Sequence, residues 1–198
     1  MAKGSNDIIL RDRLQFDTTV TGGVSLVYGR VDMSDYVSIP EAKGLAVKEV
    51  RFQFRVPNSS QVFPTFMNGE DSTTFPAQQA TQASIVAFAT TTAYESASDI
   101  GIASPNVLCI DERQSVAHVG SAGEFDTFDY EHTVYGTPDL HPEGYDIVTD
   151  LLIGVFASNL GNSLLVDNTL ELDVMIIAEP KKITNKDLTQ MLSQAQDL

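Results

Sequence analysis

Three histidines, one cysteine and a run of carboxylates are the residues of this chain whose types could do chemistry. Cys109 lies in the apolar run VLCI, where a free thiol packs as a small hydrophobe and has no basic neighbour to activate it. As the only cysteine it forms no intrachain disulfide and no cysteine-based zinc site. His118, His132 and His141 are spaced 14 and 9 residues apart, so no His-x-His pair sets two imidazoles on one strand face. They read as surface or half-buried side chains. The stretch FDTFDYEHTVY offers Asp126, Asp129, Glu131 and His132. On a strand, Asp129 and Glu131 share one face and Asp126 and His132 the other, so the four converge only at a bulge or turn. Calcium takes six to eight oxygens, which loops such as MNGEDS or a second subunit would have to complete. Asp126, Asp129 and Glu131 are therefore candidates for a structural calcium, with a solvated acidic strand face as the alternative. No other metal or cofactor is expected. Around Ser121, GSAGE has the wrong glycine spacing for a nucleophile elbow, and neither a P-loop nor G-x-G-x-x-G occurs. Without tryptophan there is no stacking platform for a sugar. These residues predict a protein that is not an enzyme.

Charge narrows the partners. Of 27 acidic residues, 18 fall within positions 61–180, where Arg113 is the only lysine or arginine. A segment so acidic repels phosphate, which argues against direct nucleic-acid binding. It forms a solvated surface, suits a saline or cation-rich setting, or binds divalent ions. The flanking segments are nearly balanced, so one face can meet neighbours while an acidic face meets water. The start, MAKGSNDIIL, has no apolar signal-peptide core, and no apolar run approaches the ~20 residues of a membrane helix. Synthesis in the cytoplasm is the expectation.

The elements that must position these residues are strands. With 42% hydrophobic and 20% charged residues, 198 residues suffice for one folded domain with a real core. In KEVRFQFRV, Val50, Phe52, Phe54 and Val56 fall on one face and Glu49, Arg51, Gln53 and Arg55 on the other. LELDVMIIAE alternates in the same way, then turns apolar on both faces. IILRDRLQF, VSLVYGRV, SIVAFATTT, NVLCI, FDTFDYEHTVY and LLIGVFAS bring the total to about eight strands. SASDIGIASP has room for one helical turn. Strands without crossover helices predict an all-β, two-sheet sandwich or barrel.

Two regions look made to be covered. The connection between Val56 and Ser84 is longer than most loops, and its Phe63, Phe66 and Phe75 argue against simple disorder. It either lies back on its own sandwich or packs on another subunit. At the other end, Pro180 is expected to end the last strand. Thr184 then starts a helix with a capping-box-like T-N-K-D. Leu188, Met191, Leu192 and Ala195 make one apolar stripe. Because an isolated helix of ~12–15 residues is marginal, this one must dock, and each large apolar side chain buried adds roughly 1.5–3 kcal/mol. The cover is its own sandwich, a neighbouring subunit or a membrane surface. Residues 1–180 thus form a β-sandwich domain and 181–198 a C-terminal helical extension.

VKEVRFQFRV, DLLIGVFASN and LELDVMIIAEPKKITNKDLTQML together resemble single jelly-roll capsid (coat) proteins of tailless icosahedral viruses. The resemblance spans most of the chain. It implies two four-stranded sheets, a single jelly roll, and self-assembly into a capsid shell within a virion. It also implies a terminal segment that reaches the next subunit or the interior. Leu188, Met191, Leu192, Ala195, Phe63, Phe66 and Phe75 become the subunit-interface candidates. The partners implied are copies of the same chain in a homo-oligomer, with other virion proteins or an internal membrane as further ones. Where such proteins carry a basic N-terminal arm for the genome, MAKGSNDII has one lysine, so direct genome contact is not expected. A virion decoration or receptor-binding β-sandwich would instead present its long loops outward. A small β-barrel enzyme or ligand-binding module would enclose a pocket with converging polar groups.

Overall fold

In the computed structural model the described residues are 6–57, 62–69, 80–119, 125–136, 144–184, 186, 187 and 189. Nine strands cover most of them: β1 Ile8–Asp17, β2 Val24–Val31, β3 Lys43–Arg55, β4 Ala80–Thr90, β5 Val107–Val119, β6 Phe125–Tyr135, β7 Tyr145–Ile147, β8 Leu151–Ser158 and β9 Thr169–Lys182. They form two antiparallel sheets, one ordered β1-β9-β3-β7 (sheet A) and the other β2-β8-β4-β5-β6 (sheet B). Leaving out β6, the strand orders are those of a jelly roll, with β1, β9, β3 and β7 facing β2, β8, β4 and β5. The fold is the β-sandwich expected from the alternating pattern, with one strand more on one side.

Period-two side chains build the core from both inner faces. Leu170, Leu172, Val174 and Ile176 of β9, with Val50 and Phe54 of β3, are buried against Ile85, Ala87 and Ala89 of β4 and Leu151, Ile153 and Val155 of β8. A smaller cluster, centred on buried Phe88, lies on the outer face of sheet B with Val86 and Ile110. It is roofed by the β4–β5 connection, whose Ile100 packs on it. The Tyr94 N–H donates to the Tyr28 hydroxyl at 2.8 Å, which in turn donates to the Tyr94 carbonyl at 3.2 Å. This connection contains the single turn expected in SASDIGIASP, a 3₁₀ turn at Ala97–Asp99 capped by Ser96.

The strands differ from the sequence expectation in five places. β4 begins at Ala80, four residues ahead of SIVAFATTT, and ends at Thr90. β3 begins at Lys43, ahead of the alternating run. β5 continues nine residues beyond Ile110, through DERQSVAHV. Tyr145–Ile147 forms the short edge strand β7, which is not among the eight expected strands. Pro180 does not end β9, which runs on to Lys182 with Leu45 opposite Pro180. The reason is local: β1 pairs with β9 only as far as Ala178, so beyond that point β9 is an edge, where proline is tolerated. After β9 the Thr184 cap forms as its residue types imply. The Asp187 N–H donates to Thr184 Oγ1 at 3.2 Å, and Thr184 Oγ1 donates to the Asp187 carboxylate at 2.6 Å.

Candidate functional site

The residues with chemical potential are held apart. Cys109 is buried in the core, and burial pushes its thiol up to about 12. His118 sits opposite Thr127 and His132 opposite Arg113, five residues apart along β6, or roughly 17 Å at ~3.3 Å per residue. His141 lies outside the described residues. Among the described residues, no three of His, Cys, Asp and Glu converge as metal ligands would. Asp129 and Glu131 stand on the outer face of β6, exposed to solvent, with Asp129 near His118 at 4.0 Å. Glu131 accepts a bond from the Thr133 hydroxyl at 3.2 Å. The Asp126 side chain is outside the described set.

Arg113, conspicuous in the sequence as the lone base of its segment, points inward. Its guanidinium lies over the rings of Phe54 and Phe63, 5.1 and 5.8 Å from their centroids, and its Nε meets Asp111 at 3.2 Å. The second Asp111 oxygen faces His132 Nε2 at 3.1 Å. A His–Asp pair becomes catalytic when the other ring nitrogen addresses a hydroxyl or thiol. No described residue makes that bond here, so the Arg113–Asp111–His132 cluster neutralises charge at the rim of the core.

Of the interface candidates, Phe63 is covered by its own chain: it is buried, with its ring 5.4 Å from that of Phe54. The following residues are sewn into the sandwich as well. Buried Ser115 donates to the Asn68 side-chain carbonyl and accepts from the Met67 N–H at 3.2 Å. The Gly161 and Asn162 N–H groups both donate to the Met67 carbonyl. Here the backbones approach so closely that a Cβ on Gly161 would stand 2.2 Å from the Gly69 nitrogen. Phe66 is half-buried and meets Phe128 edge-on at 5.3 Å. Phe75, Leu188, Met191, Leu192 and Ala195 lie outside the described residues.

The feature that stands out is β6 itself. Its partner β5 directs Ser115 and Arg113 inward, so the residues opposite them, Tyr130 and His132, also face inward, and Phe128 and Val134 share their side. Yet Phe128, Tyr130 and Val134 are 41, 37 and 47% exposed. Sheet B has five strands and sheet A four; with β1 beside β2 at one side of the sandwich, β6 overhangs at the other with no strand of sheet A beneath it among the described residues. The result, among the described residues, is a half-exposed aromatic inner face on which only the Phe66 ring packs, and a long unpaired strand edge, with Asp129 and Glu131 on its outer side.

The outer face of sheet A carries four arginines set among carboxylates. Arg11 and Arg51 flank Met175 of β9 from β1 and β3, Arg13 stands opposite Asp173 on β1, and Arg55 stands opposite Glu171 on β3. Arg13 is fixed by Asp173 at 2.5 Å and Glu171 at 3.4 Å, Arg55 by Asp173 at 3.2 Å, and Arg51 by Glu49. Arg13 and, to a smaller extent, Arg55 hold the Asp173 carboxyl below its usual range. Arg11 has no charged or hydrogen-bonding partner among the described residues. An open depression of about 730 Å³ lies between these arginines.

No protein-family model matches the chain, and no curated protein matches it. The signal for the overhang was present in FDTFDYEHTVY, which alternates aromatic and acidic residues. Alternation shows that a strand has an apolar face but not that another sheet lies opposite it.

Proposed function

We propose that this chain is a non-enzymatic structural subunit that self-assembles into the capsid shell of a virion. The half-exposed aromatic face of β6 carries the reading. A jelly roll supports shell proteins, sugar-binding domains and enzymes alike, so the fold by itself does not choose among them. A row of Phe128, Tyr130 and Val134 left half-exposed along a free edge is costly in a solitary domain and useful in an assembling one. The partners are copies of the same chain, joined in the particle by other virion proteins or an underlying membrane. The acidic segment keeps the subunit from direct contact with a genome. The protein acts in the virion after synthesis in the host cytoplasm.

Size-exclusion chromatography with light scattering and negative-stain electron microscopy tests the proposal. Purified protein is expected to form capsomer-sized oligomers or closed particles at high concentration. A chain that stays monomeric across salt, pH and calcium conditions overturns it.

A further inference from the structure

Resting on that reading, we infer which surfaces join: the free edge of β6 on one copy adds to the free edge of β1 on the next, extending sheet B of the first with an antiparallel strand. Four strands end the two sheets, namely β1, β7, β2 and β6. β7 has only three residues, too few to pair along β6. β2 brings one arginine, Arg30, already held by Asp150. β1 is ten residues long against eleven for β6, and it exposes Arg11 and Arg13 two positions apart on its outer face. β6 exposes Asp129 and Glu131 two positions apart on its own outer face.

One antiparallel register satisfies both faces. Setting Asp129 opposite Arg13 places Glu131 opposite Arg11, the arginine without a partner among the described residues. The same register sets Phe128 opposite Leu14 and Val134 opposite Ile8. Leu14 and Ile8 are half-buried on the core side of β1, so apolar meets apolar at those two inner positions while charge pairs form outside. Between them His132 falls opposite half-buried Leu10, and Tyr130 opposite exposed Asp12, whose carboxylate can accept from a phenol hydroxyl. Two β6 edges offer less to each other: antiparallel pairing centred on Tyr130 brings Asp129 against Glu131 of the other copy, and β6 has no lysine or arginine to set opposite either acid in any register. β6 and β1 lie at opposite sides of the sandwich, so the contact is head-to-tail. Such a contact closes into rings or propagates, where a two-fold contact would stop at a dimer.

Charge exchange tests the pairing. Glu131→Arg alone and Arg11→Glu alone each set like charges face to face, and each is expected to weaken association about tenfold or more in sedimentation velocity. An equimolar mixture of the two variants restores every contact in an open chain or an even-membered ring and all but one in an odd-membered ring, since each variant offers the end that the other needs. The double variant restores association by itself. Both side chains are exposed, and circular dichroism melts of the single variants are expected to match the parent. If either single variant unfolds, the neutral variants Glu131→Gln and Arg11→Gln serve instead, each weakening association alone and adding no further loss together. Parent protein that assembles while the variants assemble equally well, or while mixing restores nothing, overturns this interface and leaves the shell reading standing. Parent protein that never assembles removes both.

Discussion

At Cys109 the thiol is enclosed by the core, and its pKa is pushed up to about 12, by burial first and then by the nearby Asp111 carboxylate. The folded state therefore favours the neutral thiol over a wider pH range than the unfolded chain, whose thiol titrates near 9. The stability this contributes is whole below about pH 9 and is lost as pH rises toward 12. Native protein at pH 8 is expected to resist a thiol reagent that labels the urea-unfolded chain at once. Labelling of the native protein at the unfolded rate would refute the enclosure. The urea midpoint of Cys109→Ala is expected to fall less between pH 8 and 11 than that of the parent. Gly154 makes a second residue-scale case. A Cβ there would meet Phe88 Cζ at 2.0 Å, inside a cluster that also holds Tyr28 edge-on to Phe88. Gly154→Ala is expected to cost about 1–3 kcal/mol in urea unfolding, the usual range for forced overpacking. An unchanged midpoint would mean that the Phe88 ring moves freely.

β5 shows at the level of an element what the sequence disclosed and what it hid. Strands whose inner face is aliphatic, such as β3, β8 and β9, were legible from alternation alone, and so was the sandwich they make. The second half of β5 was not, because its inward residues are Asp111, Arg113 and Ser115. Periodicity reads these as solvent-facing. They are buried or nearly so because each has a partner from another element: His132 of β6 for Asp111, the Phe54 and Phe63 rings for Arg113, and Asn68 for Ser115. Polar groups enter a core only when paired, and pairing over long sequence separations leaves no local signature. The same limit hid the fate of Phe63, whose aromatic ring announces a need for cover without saying whose. Ser115→Ala tests the arrangement. It leaves the Met67 N–H and the Asn68 carbonyl oxygen without the hydroxyl between them, and the expected loss is about 1–3 kcal/mol. Faster proteolysis in residues 62–69 should accompany it, since the same bonds hold Met67 and Asn68 on the sandwich. Loss of stability without added cleavage there would separate the hydroxyl from the loop.

For the whole molecule, two electrostatic terms of opposite sign act on association, and their ranges decide the outcome. Each copy carries a formal charge of −15, so copies repel as bodies over tens of ångströms. The proposed Glu131–Arg11 and Asp129–Arg13 contacts attract only within hydrogen-bonding distance. The screening length is ~30 Å at 0.01 M salt and ~8 Å at 0.15 M. Raising salt across that interval removes most of the long-range repulsion while leaving contacts of 3–4 Å, and the burial of Phe128, Tyr130 and Val134, largely intact. Association is therefore expected to strengthen from 0.01 to 0.15 M sodium chloride. It should then change little or weaken as salt approaches 1 M, where the screening length of ~3 Å reaches the paired charges themselves. In Glu131→Gln with Arg11→Gln the rise at low salt should persist, because the net charge is unchanged, and any loss at high salt should be smaller. Sedimentation velocity over a salt series on both proteins measures this. Association that falls steadily from the lowest salt upward would mean that short-range charge pairs outweigh the repulsion between whole subunits, and the aromatic face would then not be the main source of affinity.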